Sequence, residues 1–288
     1  MAGDQLVNLV LVLLVSVSTL VLVSIGLAVV FGMMGVINLA HGEFLMLGAF
    51  GTILGYRAGL SLWIAMVMAA IGVGVLGLVV EALLIRHLYG RLEATMLATW
   101  GLSIILVQAT VLIFGASTQG VPTPLGTWRF GQYSTSEYNL VLIAMAVVTL
   151  IGVYLVFTRT RYGTIARAVT QNPEMAAALG VNSARVNRVS FAFGSALAGL
   201  GGALLAPLVG VVPNMGQAYV ARAFMTVVVG GTDVVLGTAM AAGLLGAVDS
   251  LVSNLFEPFI GSVALLLTAI VIVRVLPTGL TGRLRGRS

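Results

Sequence analysis

Several apolar runs in this chain reach or pass the ~20 residues that a helix needs to cross ~30 Å of hydrocarbon. The first runs from about Leu6 to Phe31, and Leu62 to Ile85 reads as a clean span. Others cover about Thr95 to Phe114, Tyr138 to Phe157, Val189 to Gly210 and Phe259 to Leu276. Lipid offers no partner to a backbone amide, so runs of this length must satisfy their own hydrogen bonds as helices. A transmembrane barrel would instead show alternating segments of ~10 residues, and none is present. Only 8% of the residues are charged, against ~25% in an average soluble domain. The sequence predicts an all-α polytopic membrane protein, with residues 1–288 forming a single transmembrane domain.

Two absences narrow the chemistry. All fourteen basic residues are arginines, and without Lys there is no P-loop contact to nucleotide phosphates and no amine for a Schiff base. Without Cys there are no disulfides, thiol nucleophiles or cysteine metal sites, and the redox compartment stays open. The net charge of +5 does not point to nucleic acid. The arginines read as lying in loops and at the C-terminus, where the positive-inside bias puts them. The first apolar run lacks a basic flank and exceeds the roughly 7–15 residues of a signal-peptide core, so it reads as a first span.

The most polar insertion is Gly35-Val36-Ile37-Asn38-Leu39-Ala40-His41-Gly42-Glu43-Phe44. At membrane depth such side chains face a protein interior or a water-filled cavity. Asn38, His41 and Glu43 therefore either line a pathway or cap a broken helix whose backbone groups have been freed. A helical zinc site needs two His four apart, and the other His, His87, lies in a charged turn, so no metal site is expected. A second interruption, Gly230-Gly231-Thr232-Asp233, breaks the apolar stretch from about Ala223 to Val252 and echoes the first. Asn38 precedes Gly42, Gly48 and Gly51 at the same spacing with which Asp233 precedes Gly237, Gly243 and Gly246. The echo suggests a duplication of about 6–85 and 189–276, and paired glycine-interrupted segments point to a midplane site in transporters. Asp233 either lines that pathway or caps the next helix. Asp249 and Glu257 are expected at the outer boundary, solvated or paired. Small residues between Gly194 and Gly202 form a face for close helix packing, a subunit interface included.

Residues 159–188 form the longest polar segment, with Arg159, Arg161, Arg167, Arg185 and Arg188 against one acid, Glu174. By the positive-inside rule it is cytoplasmic, as are the Arg86/Arg91 turn and the tail with Arg283, Arg285 and Arg287. Each interrupted stretch then begins and ends on the outer side as a bent or re-entrant element. That arrangement gives about eight membrane segments with the N-terminus inside. Within the segment, Asn172-Pro173-Glu174 supplies an N-cap, a Pro at the first helical position and an acid in the first turn, and Gly180 a C-cap. So short a helix is not stable alone and is expected to dock against something.

The run Glu174-Met175-Ala176-Ala177-Ala178-Leu179-Gly180 resembles the EAA-type loop of ATP-binding-cassette (ABC) importer permeases, without the Ile-x-Leu-Pro ending of many such loops. The decapeptide resembles the signature of LivH-type permeases of branched-chain amino acid and urea/amide importers. That likeness runs from about Gly26 to Gly282 and includes Leu276-Pro277-Thr278-Gly279-Leu280. Leu97 to Ser103, Ala168 to Asn172 and Pro213 to Tyr219 are more similar to the urea-type permease UrtB, although Thr232-Asp233-Val234 replaces its usual Val-Gly-Asn. The resemblance implies a permease subunit in the bacterial cytoplasmic membrane for urea or short-chain amides, with branched-chain amino acids as the alternative. A self-sufficient channel or carrier, or an intramembrane enzyme built on His41 and Glu43, is more remote. Also implied are a second homologous permease subunit, two cytosolic ATPases holding ATP and Mg, and an external binding protein. No cofactor or catalytic site is expected on this chain. Pathway residues are then expected at Asn38, His41, Glu43, Thr99, Ser103, Gln108, Thr232 and Asp233. The ATPase contact is expected at Arg167, Asn172, Pro173, Glu174, Ala177 and Gly180.

Overall fold

The computed structural model describes residues 2–285. Each apolar run becomes helix: α1 (Ala2–Met34), α2 (His41–Arg57), α3 (Leu62–Leu83), α4 (Leu92–Phe114) and α5 (Tyr138–Arg159) precede the basic segment. That segment folds as α6 (Arg161–Gln171) and α7 (Pro173–Ala178). Then follow α8 (Ser183–Leu205), α9 (Met215–Gly230), α10 (Val234–Leu255), α11 (Pro258–Val275) and α12 (Gly279–Arg285). Arg287 lies outside the described residues, as do the side chains of Arg283 and Arg285.

Seven stretches among the described residues are long and apolar enough to cross a membrane. α2 and α9, with 17 and 16 residues, reach only about 25 Å at 1.5 Å per residue. About eight segments thus become seven long helices and two short ones. The first break is not a re-entrant loop of its own, because residues 41–44 of the decapeptide already form the first turn of α2. Gly35 and Gly231, at φ 63° and 83°, end α1 and α9 in the left-handed region that a side chain disfavours.

α8 is the central helix. Gly194 faces Gly26 of α1, Gly199 faces Val73 of α3, and Gly202 faces Leu45 of α2. A Cβ added at Gly202 would stand 1.8 Å from the Leu45 carbonyl oxygen, so Gly202→Ala would force two backbones apart. Between apolar helices in lipid, close backbone approach and dispersion supply the attraction that burial supplies in water. The close packing expected on this small-residue face is found within the chain. The face is consumed within the chain, because α1, α2 and α3 already cover it.

The N-terminus expected inside lies on the opposite side. Asp4 sits against Gly131, in an antiparallel hairpin of β1 (Thr127–Phe130) and β2 (Tyr133–Ser136). At the other end of α1, the Met33 carbonyl accepts a hydrogen bond from Thr170 of α6 at 2.9 Å. α1 thus runs from the hairpin face to the arginine-rich face. With Asp4 the sole charge before Glu43, little in the sequence could orient it.

Candidate functional site

Residues 35–40 connect α1 to α2 outside the helices, and the break is tied down from three directions. Asn38 Oδ1 accepts from the Ala40 amide at 3.1 Å. Thr99 Oγ1, on α4, accepts from the Leu39 amide at 3.1 Å and donates to the Thr95 carbonyl at 2.9 Å. His41 Nε2 lies 2.9 Å from the Val23 carbonyl of α1; a carbonyl only accepts, so this nitrogen carries the proton. The Glu43 carboxyl lies beside Ser103 of α4. All five polar side chains are buried. They form one joint that ties the break to α1 and α4. Asn38 Nδ2 and Glu43 Oε2 are left buried without partners, a costly state for polar groups.

The other expected pathway residues stand apart from this joint. Gln108 is exposed on α4. Thr232 and Asp233 lie at the second break, where Asp233 Oδ1 caps α10 by accepting from Val235 and Leu236 amides at 3.1 and 2.8 Å. Thr281 of α12 clamps the same break, donating to the Gly230 carbonyl at 2.7 Å and accepting from the Asp233 amide at 3.2 Å. A cavity of about 350 Å³ opens here between the ends of α1, α5, α6 and α10, with Arg167, Thr170, Thr232 and Asp233 in its wall. Asp233 therefore both caps and lines. Arg167, expected on the ATPase contact, is half-buried in this cavity.

The rest of the expected contact projects as α7. Asn172 Oδ1 accepts from the Met175 amide at 2.9 Å, Pro173 occupies the first turn, and Gly180 at φ 83° ends it. Asn172, Pro173, Glu174, Ala177 and Gly180 are all exposed. Met175 and Leu179, one turn apart, are exposed by 60% and 79%. Sequence reasoning passed over these two, although apolar side chains four apart on a capped helix mark a face that seeks a cover. α6 is anchored behind them, its Tyr162 hydroxyl 2.7 Å from Ser190 Oγ on α8.

Sequence reasoning also missed Glu81 and placed the arginines in loops, whereas Arg188, Arg222 and Arg274 are helical. Glu81, fully buried in α3, pairs with Arg188 Nε of α8 at 2.8 Å and accepts from the Tyr89 hydroxyl. Burial, reinforced by the hydrogen bond to Glu81, holds the Tyr89 phenol well above its usual range, so it stays a donor. A lone carboxylate in an otherwise uncharged span was the available signal. Among the described residues no group of three His, Asp or Glu is placed to hold a metal.

The family described as "Branched-chain amino acid transport system / permease component" matches residues 9–276. The chain is 29% identical over 283 residues to the high-affinity branched-chain amino acid transport system permease protein BraD of Pseudomonas aeruginosa, covering 92% of each. It is 29% identical over 290 residues to the permease protein LivH of the corresponding Salmonella typhimurium system, again covering 92% of each. Among solved structures, PsaBC from Streptococcus pneumoniae in complex with Fab superimposes with a TM-score of 0.53 at 12% identity, covering 96% of this chain and 95% of that one.

Proposed function

Since the chain belongs to the family of branched-chain amino acid transport permease components, we propose that it is the membrane-spanning subunit of an ABC importer that carries branched-chain amino acids inward. One observation carries the coupling part of this reading. The capped helix α7 holds Met175 and Leu179 out to solvent, while α6 joins it to the inner end of α1 and to the cavity at the second break. A cytosolic ATPase covering α7 would move α6 against the ends of α1 and α10, and so change access to the pathway. Asn38, His41, Glu43, Thr99 and Ser103 shape that pathway at the first break, and Thr232 and Asp233 at the second. Partners on this reading are two ATPases, an external binding protein and a second permease subunit. Residues 6–85 and 189–276 are read as a duplication, supported by the paired positions Gly42 and Gly237, which press against Gly216 and Gly230 of α9.

Urea is the second reading. It rests on the motifs at Leu97 to Ser103, Ala168 to Asn172 and Pro213 to Tyr219, whereas both relatives described above are branched-chain amino acid permeases. Uptake of labelled leucine and labelled urea by cells lacking and regaining the chain separates the two. Restored leucine uptake with unchanged urea uptake is expected; the reverse pattern would replace the amino acid reading.

A further inference from the structure

Arg222 and Asp249 were absorbed by none of the roles above, yet they line one cavity. It spans about 260 Å³ between α1, α9 and α10, just below the roughly 300–1,000 Å³ typical of small-molecule sites. Asp249 Oδ2 accepts from Ser16 Oγ at 3.3 Å, and its Oδ1 is buried without a partner. Arg222 is hydrogen-bonded through Nη2 to Ser262 of α11. The two charges face the same space, from α9 and α10, without forming an ion pair with each other. Asp249, expected at the outer boundary as a solvated or paired carboxylate, is half-buried and held on one oxygen by Ser16. Lone charges at membrane depth are costly and mark sites, and each here has capacity left for a ligand group of opposite sign. Between them the α1 wall carries Val12, Val15, Leu20 and Val23, together with the hydroxyls of Ser16 and Thr19. A neighbouring cavity of about 350 Å³ shares Arg222 and Tyr219 and extends to the 206–214 connection. That connection pairs with Gln119 of the hairpin-face loop through Val211, so the approach comes from the outer side.

We infer that this cavity binds a zwitterionic aliphatic α-amino acid, with its ammonium on Asp249, its carboxylate on Arg222 and its side chain against the valines and leucine of α1. Arg presents a planar fork that suits a carboxylate, and charge-assisted hydrogen bonds on both ends fix the orientation. A neutral amide such as urea would leave both protein charges uncompensated, which selects against it. This rests on the amino acid reading above.

The test uses the full transporter, this chain with its partner subunits, in detergent without the binding protein. Bound labelled leucine is competed by unlabelled leucine, 4-methylpentanoate (no ammonium), leucinamide (no free carboxylate) and urea. Leucine should compete about ten-fold or more better than the other three. Asp249→Asn should erase the advantage over 4-methylpentanoate while keeping that over leucinamide, and Arg222→Gln should do the converse. Val15→Phe fills the cavity without touching either charge and should weaken leucine about ten-fold or more, which keeps the test decisive if a charge variant fails to assemble. Wild-type affinity in Val15→Phe, or charge variants with unaltered selectivity, overturns the site. If those results accompany wild-type leucine uptake, only the site falls; if the wild type moves no branched-chain amino acid, the substrate reading falls with it.

Discussion

At the scale of residues, the Glu81–Arg188–Tyr89 group is the most consequential contact outside the breaks. It fixes the inner end of α3 to the start of α8 and to the turn before α4. Removing one member of a buried pair strands the other; Arg188 is 40% exposed, so water moderates the loss to about 1–3 kcal/mol. Arg188→Ala should therefore destabilise the protein more than the double variant Glu81→Ala/Arg188→Ala departs from Glu81→Ala alone, a coupling that thermal unfolding in detergent reads as a double-mutant cycle. Simple additivity would show that the pair is not coupled. The pair was illegible in the chain because its members lie 107 positions apart, and periodicity says nothing about which spans meet. Asn172, Pro173 and Gly180 were legible, since caps are local chemistry that needs no knowledge of the fold.

At the scale of elements, both breaks could be read in advance from glycine beside polar residues, although α2 resumes at His41, inside the first polar stretch. What the breaks touch could not be read. The first is closed by α4 and α1, the second by α12 beside a cavity that α6 lines, so two similar spacings serve different surroundings. Gly48 closes on Gly199, while its counterpart Gly243 meets open space. The α8 stripe announced close packing, but small residues do not reveal whose helix they admit. α7 is the element to test. Leu179→Glu keeps both caps yet places a charge at the tip of the exposed apolar face. It should abolish co-purification of the ATPase subunits, whereas Asn172→Ala, costing about 1 kcal/mol of helix stability, should only weaken it. Undiminished co-purification with Leu179→Glu would remove α7 from the contact.

At the scale of the whole molecule, the chain is a multi-pass protein of the cytoplasmic membrane, a class that its apolar runs declared at once. Sidedness was the part they did not fix. The absence of native cysteines makes it measurable with single substitutions. Asp4→Cys should react with an impermeant maleimide from outside intact cells and Met175→Cys only after permeabilisation; the reverse labelling would invert the topology. The central claim, an ATP-driven permease for branched-chain amino acids, is tested most directly in proteoliposomes holding this chain, its partner permease and the ATPases, supplied with binding protein outside and ATP inside. Labelled leucine should accumulate only with ATP, with labelled urea no higher than in empty vesicles, and Leu179→Glu should bring leucine to that same background. ATP-independent leucine entry, or ATP-dependent urea accumulation without leucine, would contradict the account.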